Sequence, residues 1–226
     1  MHNINCNSYI PRRMITIGTD CSGIEAPLMA LDILDVKYNH IFSSEIDKNC
    51  INFIEKNFNP NIIYHDLKER NNKQYKKSLD LYIAGFPCQT FSSLGNKEGF
   101  LNKTKGTIFF DVYDFISVNR PNIFILENVR SLLTHDKGNT FHIINELLQE
   151  LNEYNIYHKV LNTYDYGIPQ SRNRIFIIGI KKKIQTKPFT FPKPINMMDL
   201  SKFINLKNIN KGKNVFLKQN NKYSKI

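Results

Sequence analysis

Short apolar runs alternate with amphipathic stretches along the first 180 residues of this 226-residue chain. Runs of strand length occupy 14–22 (MITIGTDCS), 40–46 (HIFSSEI), 61–67 (NIIYHDL), 80–86 (DLYIAGF), 122–128 (NIFILEN), 157–162 (YHKVLN) and 173–180 (NRIFIIGI). Between them, apolar positions recur at helical spacing over 24–34, 47–58, 106–118 and 141–154. Such alternation builds βαβ units, in which parallel strands are buried under helices on both faces. The pattern predicts an α/β fold, doubly wound around a mostly parallel sheet of seven strands. Beyond residue 181 it stops, and TKPFTFPKP at 186–194 reads as a Pro-punctuated exit into an irregular region. The expected division is a body, 1–180, and an appendage, 181–226.

Charge sharpens that division. Residues 1–180 carry 19 basic and 19 acidic side chains, whereas 181–226 carry 12 lysines and a single acid, Asp199. The whole net charge of +11 therefore sits in the appendage, interleaved with Phe189, Phe191, Phe203, Phe216 and Tyr223. Lysines and aromatics in that mixture suit a polyanion, most simply nucleic acid; a solvated tail is the plainer reading. No apolar run approaches a membrane span, and MHNINCNSYIPRR lacks the apolar core of a secretory signal, so an intracellular protein without a membrane partner is expected. Cys6, Cys21, Cys50 and Cys88 form no C-x-x-C pair, which predicts neither a metal site nor a disulfide framework.

Candidate chemistry gathers where the predicted strands end, the edge at which open α/β sheets bind ligands. GTDCSGIEAP at 18–27 is a glycine turn feeding a helix; it suits close approach of a ligand to the backbone, or it is a plain strand-to-helix turn. Glu45 closes the second strand, placed to take the hydroxyls of a ribose, and Asp66 closes the third, placed to accept from an exocyclic amine. Asp47 is a candidate helix cap. GFPCQTFS at 85–92 puts Cys88 in the loop after the fourth strand. Glu127 follows the aliphatic run of the fifth, a partly dehydrated setting in which an acid can both give and accept a proton. Adjacent fourth and fifth strands would set Cys88 and Glu127 across one cleft, although a buried small hydrophobe and a salt-bridged acid explain each singly. In QSRNR, an extended backbone would point Gln170, Arg172 and Arg174 to one side, able to grip a phosphate or a base edge.

In this order GFPCQTFS, ENV and QSRNR resemble the cytosine-5 DNA methyltransferases, over residues 14–180. The resemblance implies a Rossmann-like methyltransferase sheet, S-adenosyl-L-methionine as cofactor and double-stranded DNA as partner. It implies Cys88 as nucleophile, Glu127 as the acid on the target base, and Arg172 and Arg174 as holders of the cytosine and the catalytic loop. Pro87, Gln89, Asn128 and Gln170 would meet the substrate. Cys21, Ser22, Gly23, Ile24, Glu45, Ile46, Asp66, Leu67 and Pro87 would meet the cofactor. Thr19, Asp20 and Cys21 stand where the family carries Asp, Leu and Phe, so an aromatic contact to the cofactor is lost. The family's last two motifs have no counterpart, which leaves three explanations: a compact enzyme, half of a split enzyme completed by a second subunit, or a chain that binds without reacting. An RNA-directed member of the family would use the same cysteine and acid.

Overall fold

The computed structural model describes residues 14–73, 79–87, 108–197 and 203. Among these, seven strands form one sheet: β1 (Ile15–Asp20), β2 (Tyr38–Ser44), β3 (Ile62–Tyr64), β4 (Leu81–Ala84), β5 (Ile123–Val129), β6 (Tyr154–Asn162) and β7 (Asn173–Lys181). Their spatial order is β3-β2-β1-β4-β5-β7-β6. Parallel pairing joins β1 to β2 and β4, β2 to β3 and β4 to β5, and β7 runs antiparallel to β5. Among the described residues four α-helices accompany the sheet: α1 (Ala26–Ile33), α2 (Lys48–Asn57), α3 (Ile108–Asn119) and α4 (Asn139–Glu150). The α/β class and the mostly parallel sheet are those the alternating pattern predicts.

Local chemistry sets the boundaries. Asp47 caps α2, its carboxylate accepting the Asn49 and Cys50 N–H groups at 2.8 and 3.0 Å. The Cys50 N–H, then that of Asn49, hold the Asp47 carboxyl below the usual range. The expected third strand is shorter, because the Asp66 carboxylate accepts the Lys68 N–H and starts the 3₁₀ turn Leu67–Glu69. The last helix ends four residues before the expected 154, and Tyr154 instead opens β6. Its ring packs 5.2 Å from that of Phe124 and its hydroxyl donates to the Pro121 carbonyl, a tertiary contact that overrides helical spacing.

The chain falls into two compact units, one of Met1–Leu161 with Asn173–Phe191 and the other of Asn162–Arg172 with Pro192–Ile226. In the first, β5 alternates strictly, with Phe124, Leu126 and Asn128 buried. Phe109, Val112, Phe115 and Ile116 of α3 and Ile144 and Leu148 of α4 belong to the same core. The opposite face is less enclosed than double winding predicts: Leu81, Ile83, Ile125 and Phe176 are only half-buried and line a groove of about 580 Å³ beside α1. In the second unit, Tyr166 pairs with Ile195, and its hydroxyl donates to the Pro192 carbonyl at 3.0 Å.

Two strand glycines exist for aromatic rings. Phe42 of β2 lies over Gly18, and Phe124 of β5 lies over its register partner Gly179, so a Cβ at either glycine would overlap a fully buried ring. Gly179→Ala should therefore destabilise the fold by about 2 kcal/mol through overpacking, lowering Tm by roughly 4–8 °C. Thermal melting followed by circular dichroism checks this; an unchanged Tm would show that Phe124 moves aside freely.

Candidate active site

At the end of β1 the backbone turns through left-handed conformations at Cys21, Gly23 and Glu25, with φ of 50°, 55° and 59°. Gly23 accepts this freely, but Cys21 and Glu25 are strained and must be held. The Glu25 carboxylate, fully buried, accepts the Thr19 and Ser43 hydroxyls, each at 2.6 Å. Ser22 is buried, with its hydroxyl donating to the Ser44 carbonyl at 3.1 Å. Glu45 closes the turn from the neighbouring strand: Oε2 accepts the Gly23 N–H at 2.7 Å, and Oε1 accepts those of Ile46 and Asp47 at 2.8 and 2.9 Å.

These residues border a cleft of about 290 Å³ at the carboxyl edge of the sheet. Cys21, Glu45, Ile46, Asp66, Leu67 and Pro87 line it, with Ser44, Gly85 and Ile108. Six of the nine residues expected to meet the cofactor thus share one cavity wall; Ser22 faces the groove beside α1, Gly23 acts through its N–H on Glu45, and Ile24 is half exposed. Burial first, and then the charges of Asp20, Glu45 and Asp66, push the Cys21 thiol up to about 12. The cleft carries oxygen acceptors and negative charge around an apolar wall, a donor set that fits a cationic nucleoside ligand.

Behind the cleft lies a cluster that sequence reasoning missed. The Arg70 guanidinium donates to both Asp20 oxygens at 2.6 Å, and the Tyr82 hydroxyl donates to Asp20 Oδ2 at 2.5 Å. Burial, with the Asp20 charge beside it, pushes the Tyr82 phenol well above its usual range. The only local signal is an acid next to a glycine turn; Arg70, in LKERNNK, reads as surface charge.

Glu127, on β5, faces Arg174, on β7, with Nε 2.8 Å from Oε1, and both side chains are partly exposed. Gly85 connects this pair to the cleft: a Cβ there would stand 3.7 Å from Glu127 Oε2 and 3.8 Å from the Cys21 carbonyl oxygen. Asn128 is buried, donating to the Phe86 carbonyl at 2.8 Å and accepting the Val129 N–H. It braces the loop that leads toward residue 88. Cys88 and Gln89 lie outside the described residues. Arg172 and Gln170 belong to the second unit, where the Arg172 N–H donates to Asn162 Oδ1 at 2.9 Å and the Gln170 carbonyl accepts the Thr163 hydroxyl. The extended run expected from Gln170 begins only at Asn173, because Pro169 and Gln170 form a bend, so the alternating-face argument does not hold at Gln170. Among the described residues no group of His, Cys, Asp or Glu could hold a metal ion, and no helix is long and apolar enough to cross a membrane.

Comparison with known proteins matches residues 15–225 to the family described as C-5 cytosine-specific DNA methylase. The Type II methyltransferase M.HaeII of Haemophilus aegyptius is 44% identical over 156 residues, covering 69% of this chain and 47% of that protein. The Type II methyltransferase M.NgoBI of Neisseria gonorrhoeae is 43% identical over 157 residues, covering 70% and 47%. The chain spans about half the length of the curated relatives it matches. Among solved structures, the Entamoeba histolytica methyltransferase EhMeth superposes with a TM-score of 0.64 at 17% identity, covering 85% of this chain and 60% of the other, a likeness of fold.

The raised Cys21 pKa has a direct chemical readout. Only the thiolate alkylates, and a pKa near 12 leaves roughly one thiol in 10⁴ ionised at pH 8. Iodoacetamide at pH 8 should leave Cys21 unmodified in the folded chain and label it rapidly after denaturation, as peptide mass spectrometry would show. Rapid labelling in the folded state would contradict the burial and charge described.

Proposed function

The chain belongs to the C-5 cytosine-specific DNA methylase family, and on that premise we propose that it methylates C5 of a cytosine in double-stranded DNA with S-adenosyl-L-methionine as methyl donor. One observation carries the reading: the cleft lined by Cys21, Glu45, Ile46, Asp66, Leu67 and Pro87 meets the Glu127–Arg174 pair at Gly85. Cofactor site and base site then adjoin at one sheet edge.

When bound, the cofactor supplies an electrophilic methyl group on a sulfonium. Glu45 receives the ribose hydroxyls and Asp66 an exocyclic amine, while Gly23 leaves the turn open to the methionine portion. Cytosine C5 is a weak nucleophile, and the protein's task is to activate it. The Cys88 thiolate forms a bond to C6, and the C5–C6 π pair is released toward C5. Glu127, carrying a proton, would donate to N3 through one oxygen and accept from the amino group through the other, so the charge that develops on the ring is met there. Arg174 fixes the Glu127 carboxyl group through Nε, and Asn128 steadies the loop before Cys88. Once C5 has used that electron pair to take the methyl group, leaving the donor sulfur as a neutral thioether, loss of the C5 proton to a base or an ordered water and departure of the Cys88 thiolate from C6 would restore the ring. A stacked base is out of reach of these groups, so the cytosine must be flipped at a cost of about a few kcal/mol. Arg172, Gln170, Gln89 and Pro87 are assigned to hold the flipped nucleotide and the loop. The lysines of 181–226 supply phosphate contacts that offset that cost.

Purified chain, with labelled cofactor and unmethylated duplex DNA, should yield 5-methylcytosine; label on N4 or on adenine, or on tRNA alone, would sink the proposal, and turnover by the chain alone would dispense with a second subunit. Cys88→Ser should abolish both turnover and the covalent adduct on 5-fluorocytosine DNA, since a hydroxyl is rarely an anion at neutral pH. Glu127→Gln should slow turnover by a factor of about 100.

Truncation after Lys181 removes 11 lysines. If about 4 to 6 of them meet phosphates, log affinity for duplex DNA should fall against log salt with a slope of roughly −4 to −5, and truncation should flatten it. An unaltered slope would show the segment to be a passive solvated tail.

A further inference from the structure

Arg70 is buried to 5% exposure, although it lies in a run of charged and amide residues. Its guanidinium packs against two rings that themselves meet edge to face, 4.5 Å from the centroid of Phe42 and 4.2 Å from that of Phe115. These aromatic contacts hold the guanidinium while its edge forks onto Asp20, itself 1% exposed. Nε donates to Asn72 at 2.9 Å, and the Arg70 backbone N–H returns to the Leu67 carbonyl at 3.2 Å.

A fully buried ion pair is a poor source of stability, because desolvation cancels most of the attraction and apolar residues of similar volume often do as well. What such a pair delivers is geometry: a bidentate fork packed against two rings restricts the guanidinium to one arrangement. Here the fork joins two separate walls. Asp20 immediately precedes Cys21, and Arg70 closes the 3₁₀ turn that Asp66 and Leu67 begin. Among the described residues, the Glu45 carboxylate is engaged with the glycine turn and with its own Ile46 and Asp47 amides, and the Asp66 carboxylate with its own turn at Lys68.

We infer that Arg70 is a positioning residue of the cofactor cleft, clamping the turn after β1 to the Leu67–Glu69 turn so that Cys21 and Asp66 face one another at the spacing a nucleoside ligand requires. The inference rests on the cofactor reading above. Arg70 touches no ligand; it acts through Asp20 on one wall and through the turn on the other. Lysine cannot replace it, because a single ammonium supplies neither the fork nor the planar group that packs against the rings.

Calorimetric titration of the full chain with S-adenosylmethionine separates the possibilities. Arg70→Lys should raise the cofactor Kd at least 10-fold and leave the Kd for duplex DNA unchanged. The triple variant Asp20→Leu, Arg70→Met, Tyr82→Phe replaces the cluster by apolar groups; it should melt at or above the wild-type Tm and yet show the same loss of cofactor affinity. Leu148→Ala, in α4 away from both cavities, should lower Tm while keeping wild-type cofactor Kd. Hydrogen exchange at the Cys21–Gly23 and Lys68–Glu69 amides should quicken together in Arg70→Lys. A triple variant that is stable and binds cofactor normally would overturn the inference and leave the function standing. Wild-type protein that binds no cofactor would overturn the cofactor reading and this inference with it.

Discussion

The hydrogen-bond ladder on either side of β1 is the constraint on which the site depends. Parallel pairing sets Asp20 opposite Ser44 of β2 and Ala84 of β4, Ser44 opposite Tyr64 of β3, and Ala84 opposite Leu126 of β5. One step beyond that row stand Cys21, Glu45, Gly85 and Glu127, so four residues distant in sequence reach one edge through backbone bonding alone. An antiparallel neighbour to β1 would send its chain end to the opposite edge. Only β7 breaks the rule, and it contributes from the start of the strand: Arg174 pairs in register with Val129 and reaches Glu127.

The ladder brings the residues together but does not dictate how the loops leave the sheet, and there polar burial takes over. Strained φ values at Cys21 and Glu25 persist because the Glu25 carboxylate holds two hydroxyls and the Glu45 carboxylate holds three N–H groups. Each carboxylate converts a short stretch of irregular backbone into a fixed one. Core packing works the other way, by subtraction: Gly18 and Gly179 leave out a side chain so that Phe42 and Phe124 can lie flat on the neighbouring strand. The same Phe42 ring then lies against the Arg70 guanidinium.

What could be read from the sequence was whatever short-range periodicity encodes. Strands and helices follow from the switch between apolar runs and helical spacing, and the acids at strand ends follow from the rule that ligands meet parallel sheets at their carboxyl edge. Arg70 could not be found that way, since its burial depends on rings from β2 and α3 and a carboxylate from β1. The half-open face beside α1 was equally hidden, because a strand covered on one face and a strand covered on both can be equally apolar. The shared face expected of Gln170, Arg172 and Arg174 fails at Gln170 for a local reason: the chain bends at Pro169 and Gln170, and strand alternation does not extend through a bend.

Electrostatics then separates the two partners assigned to the protein. Glu45 and Asp66 border the cleft, and the one buried cation behind it, among the described residues, is matched by Asp20. The cavity therefore presents net negative charge, which favours a ligand bearing an ammonium or sulfonium group and repels phosphate. At the proposed base site the Glu127 charge is paired with that of Arg174, so that part of the edge adds little net charge. The lysines that could draw in a polyanion lie beyond residue 180, away in sequence from every acid at the sheet edge. A polyanion attracted by that segment has no electrostatic reason to enter the acidic cleft, and a cationic ligand has none to remain on the segment. The excess of lysine is thus confined to one stretch of sequence, while the cleft at the sheet edge carries charge of the opposite sign.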